Sequence, residues 1–252
     1  MYEVESLPKT VLQERAHPDR SERYAHVNSR SVVALLEREG YKVHGIQVTT
    51  SRNNKRDPLF AKHQIVLRHP DLRVIEGVTP QIQFVNSHDG SSSAEVRQGM
   101  WRQVCSNGLV AWRNTDYMRV RHSGDAANII IERIKAMSKT TKPLFDQIAK
   151  WSETQLTLPQ RELFARLAGQ LRWGDPHRFE PAEVLKVRRG ADDKGDLWST
   201  FNVVQENTVR GGLIGMSASG RAATSRPLSE ISANNTYNAQ LWQLAQEFSE
   251  AV

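Results

Sequence analysis

The densest set of reactive side chains runs from Gln81 to Trp112, reading QIQFVNSHDGSSSAEVRQGMWRQVCSNGLVAW. His88 and Asp89 are followed by Gly90 and by Ser91, Ser92 and Ser93. Hydroxyls and backbone amides of such a loop can cradle a phosphate, with His88 as a further donor. The same residues also make an ordinary Asp-Gly turn whose serines cap free amides. A metal-assisted reaction is a third reading, but neighbours on an extended segment point apart, and no third ligand stands beside His88 and Asp89. Downstream, Cys105 is followed by Asn107 and Gly108. A nucleophilic thiolate needs a base, for which His88 and His122 are the nearest in sequence, and a lone cysteine is more often a small buried apolar residue.

Arginines interleave with aromatic residues in and after this stretch: Arg97, Trp101, Arg102, Trp112, Arg113, Tyr117, Arg119 and Arg121. On one face of a sheet they would offer phosphate contacts and stacking surfaces, the combination that single-strand binders use. If Trp101 and Trp112 are core residues, the arginines merely line a polar face. Arg52, Lys55 and Arg56 fall within five residues of a turn-rich connector, which reads as an exposed basic hairpin tip. A Gly/Ser-rich segment, GGLIGMSASGR, carries Arg210 before it, Arg221 within it and Arg226 after it. It fits neither a Walker loop nor a dinucleotide fingerprint, so it reads as a surface loop or as one that orders on a polyanion. No nucleophile elbow, HExxH or kinase signature is present, and nothing in the sequence gives positive support to catalysis, a metal or a cofactor.

The elements that must position these groups follow from apolar period. Val32, Val33, Leu35 and Leu36 form a helical stripe that Ser29 or Ser31 could cap and Gly40 could stop. Period-two alternation then marks strands in YKVHGIQVTT, FAKHQIVLRH, QIQFVNS, EVRQGMWRQVC and YMRVR, with a bulge placed at Gly99. Tight connections make the sheet mainly antiparallel and curved. Beyond it, Ile130, Ile134 and Met137, then Leu144, Ile148 and Trp151, recur at helical spacing. PQRELFARLAGQLRW is expected to bury Leu163, Leu167 and Leu171. DLWSTFNVVQENTVR reads as another helix, and NNTYNAQLWQLAQEFSE as a last one capped by Asn234 or Asn235. The expected fold is α+β: a flexible N-terminal arm (1–20), a sheet core with a short helix before it (21–140) and a helical region (141–252) packed on that core, as a separate region or as part of one domain.

Composition bounds the partners. The 252 residues carry a formal charge of +6 and a pI near 9.6, which favours polyanions and argues against an acidic DNA mimic. The single cysteine forbids an intramolecular disulfide. No signal peptide and no run of about 18 apolar residues is present, so the expected setting is cytoplasmic, with no membrane partner.

Several blocks carry a resemblance: SERYAHVNS, FVNSHDGSSS followed by VCSNGLV, DLWSTFNVVQEN, and GGLIGMSASGR with TSRPL beyond it. From about residue 20 onward the chain resembles the YfjQ/YafZ-type prophage proteins, within a broader phage- and plasmid-like family classed as a domain of unknown function. The recurring block of that family falls here on Asn86, Ser87, His88, Asp89, Gly90, Ser91 and Ser92, then on Cys105, Asn107, Gly108 and Leu109. The resemblance implies a mobile-element protein and carries no catalytic residues. A distant similarity to single-strand annealing proteins of the Redβ/Erf kind fits a helix plus a curved basic sheet, by analogy of fold.

Together these features favour a nucleic-acid partner, single-stranded DNA first, with annealing, replication or recombination as the process and a homo-oligomer as one possible state. The contacts would come from Arg52, Lys55, Arg56, Arg97, Arg102, Arg119, Arg121, Arg210 and Arg221, with the His88–Ser92 loop touching phosphate. The alternatives are a factor that binds a host or phage protein, and, more remotely, a metal-assisted nuclease.

Overall fold

In the structure, a computed structural model describing residues 7–49, 57–70, 78–102, 117–138, 142–217 and 219–252, strand and helix segregate along the chain as α+β. Two compact units result: residues 1–104 with 112–141, and residues 105–111 with 142–252.

The first unit opens with α1 (Ser29–Arg38), capped by Asn28, whose side-chain oxygen accepts from the Ser31 amide at 3.0 Å. Five antiparallel strands follow: β1 (Lys42–Val48), β2 (His63–Arg68), β3 (Val78–Asn86), β4 (Ala94–Arg102) and β5 (Tyr117–Val120). Their spatial order is their chain order, each pairing only with its sequence neighbours. α2 (Ala126–Ser138) closes the unit.

One sheet face is apolar because alternate positions of each strand are. Ile65, Leu67, Ile82, Phe84, Ala94 and Val96 meet Val32, Val33 and Leu36 of α1 and Ile130, Ile134 and Met137 of α2 in one buried cluster. Fully burying each large aliphatic side chain contributes roughly 1.5–3 kcal/mol. Strand β1 departs from plain alternation. A bulge between Val43 and Gly45 shifts the register, so that Val43 pairs with Leu67 and Ile46 with Ile65, and Ile46 lies against the core. No bulge forms at Gly99, where β3 and β4 pair continuously from Val78/Arg102 to Val85/Glu95. Within the stretch expected as an N-terminal arm, Leu7 and Val11 are buried in the cluster.

The second unit is built on α3 (Lys142–Glu153), α4 (Leu158–Trp173), the single turn α5 (Pro181–Val184), α6 (Leu197–Arg210) and α7 (Ile231–Ala251). α6 touches α3, α4, α5 and α7, and all of its residues except Arg210 are buried. Trp151 meets Trp242 with ring centroids 4.4 Å apart, and Phe164 meets Phe248 edge-on at 5.4 Å. α4 corrects an expectation: Phe164, Ala165, Ala168 and Gly169 face inward, whereas Leu163 is 51% exposed and Leu167 and Leu171 are exposed too. The small residues put a narrow seam against the bundle and turn the leucine stripe outward. α7 starts earlier than expected, capped by Glu230, whose carboxylate accepts from the Ala233 amide at 2.6 Å. The segment read as a loop forms a hairpin, β6 (Ile214–Met216) with β7 (Ala222–Thr224). Among the described residues no helix is long and apolar enough to cross a membrane.

Candidate functional site

The sheet face opposite the apolar core is where period two sends every other strand residue. Cross-strand register arranges it in rows: Lys42, Arg68, Gln81 and Gly99; then Gly45, Val66, Gln83, Arg97 and Tyr117; then Gln47, Gln64, Val85, Glu95 and Arg119. Thr79 pairs with Trp101 in a further row. Among the described residues four cations thus share this face with one carboxylate, Glu95. Two aromatic rings lie under guanidinium groups: Arg68 sits 3.9 Å from the Trp101 ring centroid, and Arg97 sits 5.1 Å from that of Tyr117. Arg68 also reaches Gln81 Oε1 at 3.4 Å and His44 Nδ1 at 3.5 Å. Burial lowers the His44 pKa and the Arg68 charge lowers it further.

Exposure differs across the face. Arg119 and Arg121 are exposed at the β5 edge and Lys42 at the β1 edge. Arg119 has Glu95 4.0 Å away. The centre is closed: Gln81, Gln83 and Glu95 are buried, and Arg97, 5% exposed, pairs with Glu95. The expectation of Arg97 as an open phosphate contact is therefore corrected, because its charge faces a carboxylate at a buried position. Gln81 Nε2 and Gln83 Oε1 have no hydrogen-bond partner, an arrangement that costs about 1–3 kcal/mol per group.

The NSHDGSSS block leaves the end of β3 and turns into β4. Its tip is an Asx turn in which Asp89 Oδ1 accepts from the Ser91 amide at 2.9 Å, and Ser87 Oγ joins the Ser92 amide and carbonyl at 3.1 Å each. Gly90 takes a positive φ of 69°, and a Cβ there would lie 2.9 Å from the Arg20 guanidinium. His88 does not line this tip. It is fully buried, so the expectation that it touches phosphate is corrected: only the Gly90–Ser91 apex is open.

His88 instead anchors a cluster of histidines that the fold assembles from distant sequence. Its Nδ1 lies 2.9 Å from His26 Nε2, and its ring centroid lies 5.1 Å from that of His63. His63 is fixed at both nitrogens, by the Ala61 carbonyl at 3.0 Å and the Ser29 hydroxyl at 2.8 Å. Asn86 donates to that hydroxyl and to the Val27 carbonyl, each at 2.8 Å. Ser29 must then donate to His63 Nε2, which sets a neutral tautomer with its proton on Nδ1. His122 stacks on Tyr24 at 4.7 Å and reaches the Ala25 carbonyl at 3.3 Å. Residues 17–27 are strapped onto the block by these contacts and by bonds from the His17 amide to the His88 carbonyl and from Tyr24 Oη to the Ser87 carbonyl.

Burial governs the electrostatics here. It pushes His63 down to about 4 and His88 down to about 3, with His63, His26 and His122 adding to the effect on His88. His26 and His122 are lowered by burial as well. Tyr24 is raised to about 12 by burial and by Asp89. The cluster is uncharged at neutral pH. Among the described residues Asn86 Oδ1 and Ser92 Oγ have no hydrogen-bond partner, and His88 Nε2 and His122 Nε2 make none of normal geometry, although backbone groups of Thr10 and Ser92 lie near their rings. Among the described residues no three His, Cys, Asp or Glu side chains stand where they could hold a metal ion.

Of the other residues singled out in the sequence, Arg210 and Arg221 lie on the second unit, both exposed. Arg52, Lys55, Arg56, Cys105, Asn107, Gly108, Leu109, Trp112 and Arg113 lie outside the described residues, as does the side chain of Arg102. Sequence reasoning missed Lys42, Arg68, Gln81 and Gln83, although each stands in phase with the outward positions of its strand. It also missed His26 and His63, for which no local signal exists.

The family described as Domain of unknown function (DUF932) matches residues 16–242. Two relatives come from Escherichia coli (strain K12). UPF0380 protein YfjQ is 32% identical over 238 residues, covering 94% of this chain and 86% of that protein. UPF0380 protein YafZ is 31% identical over 242 residues, with the same two shares covered. No solved structure matches the chain.

Proposed function

Because the chain belongs to the family described as Domain of unknown function (DUF932), a membership that assigns no chemistry, we propose from the sheet itself that it binds single-stranded DNA in the service of a mobile element. Annealing or strand handling during replication or recombination is the process that fits such binding. The observation that supports this reading is the composition of the outer sheet face among the described residues: Lys42, Arg68 and Arg119 surround a buried Arg97–Glu95 pair, with Trp101 under Arg68 and Tyr117 under Arg97. A face evolved only to be shut away is apolar, and burying polar groups without partners is costly. Cations for phosphates beside rings for bases are what a strand without sequence preference requires. The exposed edges at Lys42, Arg119 and Arg121 are where capture begins, with Arg119 in β5 and Arg121 directly after it.

Fluorescence anisotropy of a labelled single-stranded oligonucleotide, at low and at moderate salt, tests the reading. Binding should weaken steeply with salt, and each phosphate contact removed should reduce the log–log slope by about 0.7. The triple variant Lys42→Ala/Arg119→Ala/Arg121→Ala should therefore lose at least roughly tenfold in affinity and about 2 in slope. Absence of binding by the unaltered protein at low salt would sink the reading and turn the search to a protein partner.

A further inference from the structure

The hairpin β6–β7 is pinned from below and bare above. Met216 donates its amide to the Arg178 carbonyl at 3.0 Å, and Leu213 and Ser225 exchange bonds at 2.9 and 3.0 Å. Gly215 faces inward so closely that a Cβ would lie 2.4 Å from the Arg178 carbonyl and from the Phe179 ring, which makes glycine obligatory at that point. The tip is tied by Ser217, whose amide donates to the Arg221 carbonyl at 2.7 Å and whose hydroxyl accepts from the Arg221 amide at 3.1 Å. Alternation then sends Ile214 and Met216 together to the other side, where they are 68% and 55% exposed, beside Thr224 and Ala222. Ile214 is the most exposed large apolar side chain among the described residues.

A rigid mount that holds two aliphatic side chains in water marks a contact surface. The charges around it state what kind. Arg221 directly precedes β7 and Arg226 lies two residues beyond it, both exposed. The carboxylate at hand, Glu183, is 3.4 Å from the Ile214 amide. Apolar tips on a hairpin flanked along the chain by two exposed arginines suit a polyanion with flat apolar faces, and an apolar protein chain would gain nothing from the arginines.

We propose that this hairpin is an unstacking wedge for single-stranded nucleic acid: Ile214 and Met216 enter between neighbouring bases while Arg221 and Arg226 hold the flanking phosphates. Inserted Ile and Met side chains separate base steps in this manner in other settings. The inference rests on the single-strand reading above and adds to it a site on the second unit and an action on the bound strand.

The test uses an oligonucleotide carrying 2-aminopurine, which brightens when it loses its stacking neighbours, with anisotropy recorded on the same samples. The full chain should brighten the probe on binding. Ile214→Ala/Met216→Ala should still bind, within roughly tenfold, and should lose the brightening at saturation. Arg221→Ala/Arg226→Ala should bind more weakly with a shallower salt slope and keep the brightening once saturated. Both pairs face solvent, so an unchanged tryptophan emission spectrum serves as the folding control. Full brightening by the Ile214→Ala/Met216→Ala variant overturns the wedge while leaving single-strand binding intact. A flat anisotropy trace for the unaltered protein overturns the single-strand reading and the wedge with it. Loss of a dimer in sedimentation for the Ile214→Ala/Met216→Ala variant, with the probe response unchanged, would assign the surface to a second copy of the chain instead.

Discussion

The two units each bury a band of polar side chains, and the bands are finished to different degrees. Along α6, Glu206 takes Arg189 and Arg210 on its two oxygens, Asn207 bonds Arg188 and the carbonyls of Val184 and Lys186, and Thr208 accepts from Tyr237. Gln205 donates to Asn238 at 2.9 Å. No buried side-chain polar atom of α6 lacks a partner. Around His88, four such atoms lack one. A completed network fixes packing; an incomplete one stores unfavourable free energy and stays sensitive to protons. The DLWSTFNVVQEN block is thus accounted for by architecture, with Asp196 capping α6 through the Ser199 amide at 2.7 Å. The NSHDGSSS block is only partly accounted for in that way.

The largest expected effect breaks the finished band. Glu206→Ala removes a buried carboxylate that accepts from Arg189 and Arg210. A hydrogen bond to a charged group contributes about 1.5–3 kcal/mol, with the half-exposed Arg210 at or below the lower end. Urea denaturation followed by tryptophan emission reads it, since Trp151, Trp173, Trp198 and Trp242 all belong to the second unit. A change below about 1 kcal/mol would mean that the clamp is ornamental.

Acid should break the other band first. His63 and His88 are held neutral when folded and regain ordinary values when unfolded, so the unfolded chain binds protons first as the pH falls below about 6.5. Stability is therefore complete above that pH and declines through the window down to about 4 for His63 and about 3 for His88. At pH 5 the loss is about 2 kcal/mol for each of these histidines. The second unit contains His177 alone, and that side chain is exposed. Hydrogen exchange, corrected for its intrinsic pH dependence, should show the first unit loosening by pH 5 while the second keeps its protection. Parallel loss in both units would refute the contrast.

A smaller effect sharpens it. Asn86→Ala removes the donor to Ser29 and Val27 and strands two buried acceptors, costing about 1–3 kcal/mol. It should also blunt the acid response, because Ser29 is then free to reorient around His63. Chemical denaturation at pH 7 and pH 5 gives both quantities, and an unchanged pH 5 to pH 7 difference would uncouple Asn86 from the cluster.

What the sequence disclosed follows from the range over which each feature is encoded. The α+β order and the inward residues of β2, β3, β4, α2 and α3 were legible because period two and period 3.6 are local. The phase of the second half of β1 is not legible from plain alternation, since one bulge after Val43 reverses every later residue. α4 was misread because its widest apolar stripe is outward and its seam is made of Ala165, Ala168 and Gly169, which carry little hydropathy. α6 shows no useful period, being buried nearly all round. The histidine cluster was illegible for a different reason: His26, His63, His88 and His122 are separated by tens of residues and meet only through tertiary structure. The resemblance to the YfjQ/YafZ-type family singled out His88 but said nothing of its neighbours.

The neighbour-only pairing of β1 through β5 bears on how the chain acquires its shape. A meander grows by hairpins, each closing a short loop, so its assembly avoids the slow search that distant strand partners impose. The strands can zip in the order in which they are synthesised, before most of the helical unit has been made. The bonds from residues 17–27 to His88 and His122 span far longer stretches of chain. Their larger loop-closure cost predicts that they close after the hairpins, which would make the N-terminal strap a late lock on a sheet already formed.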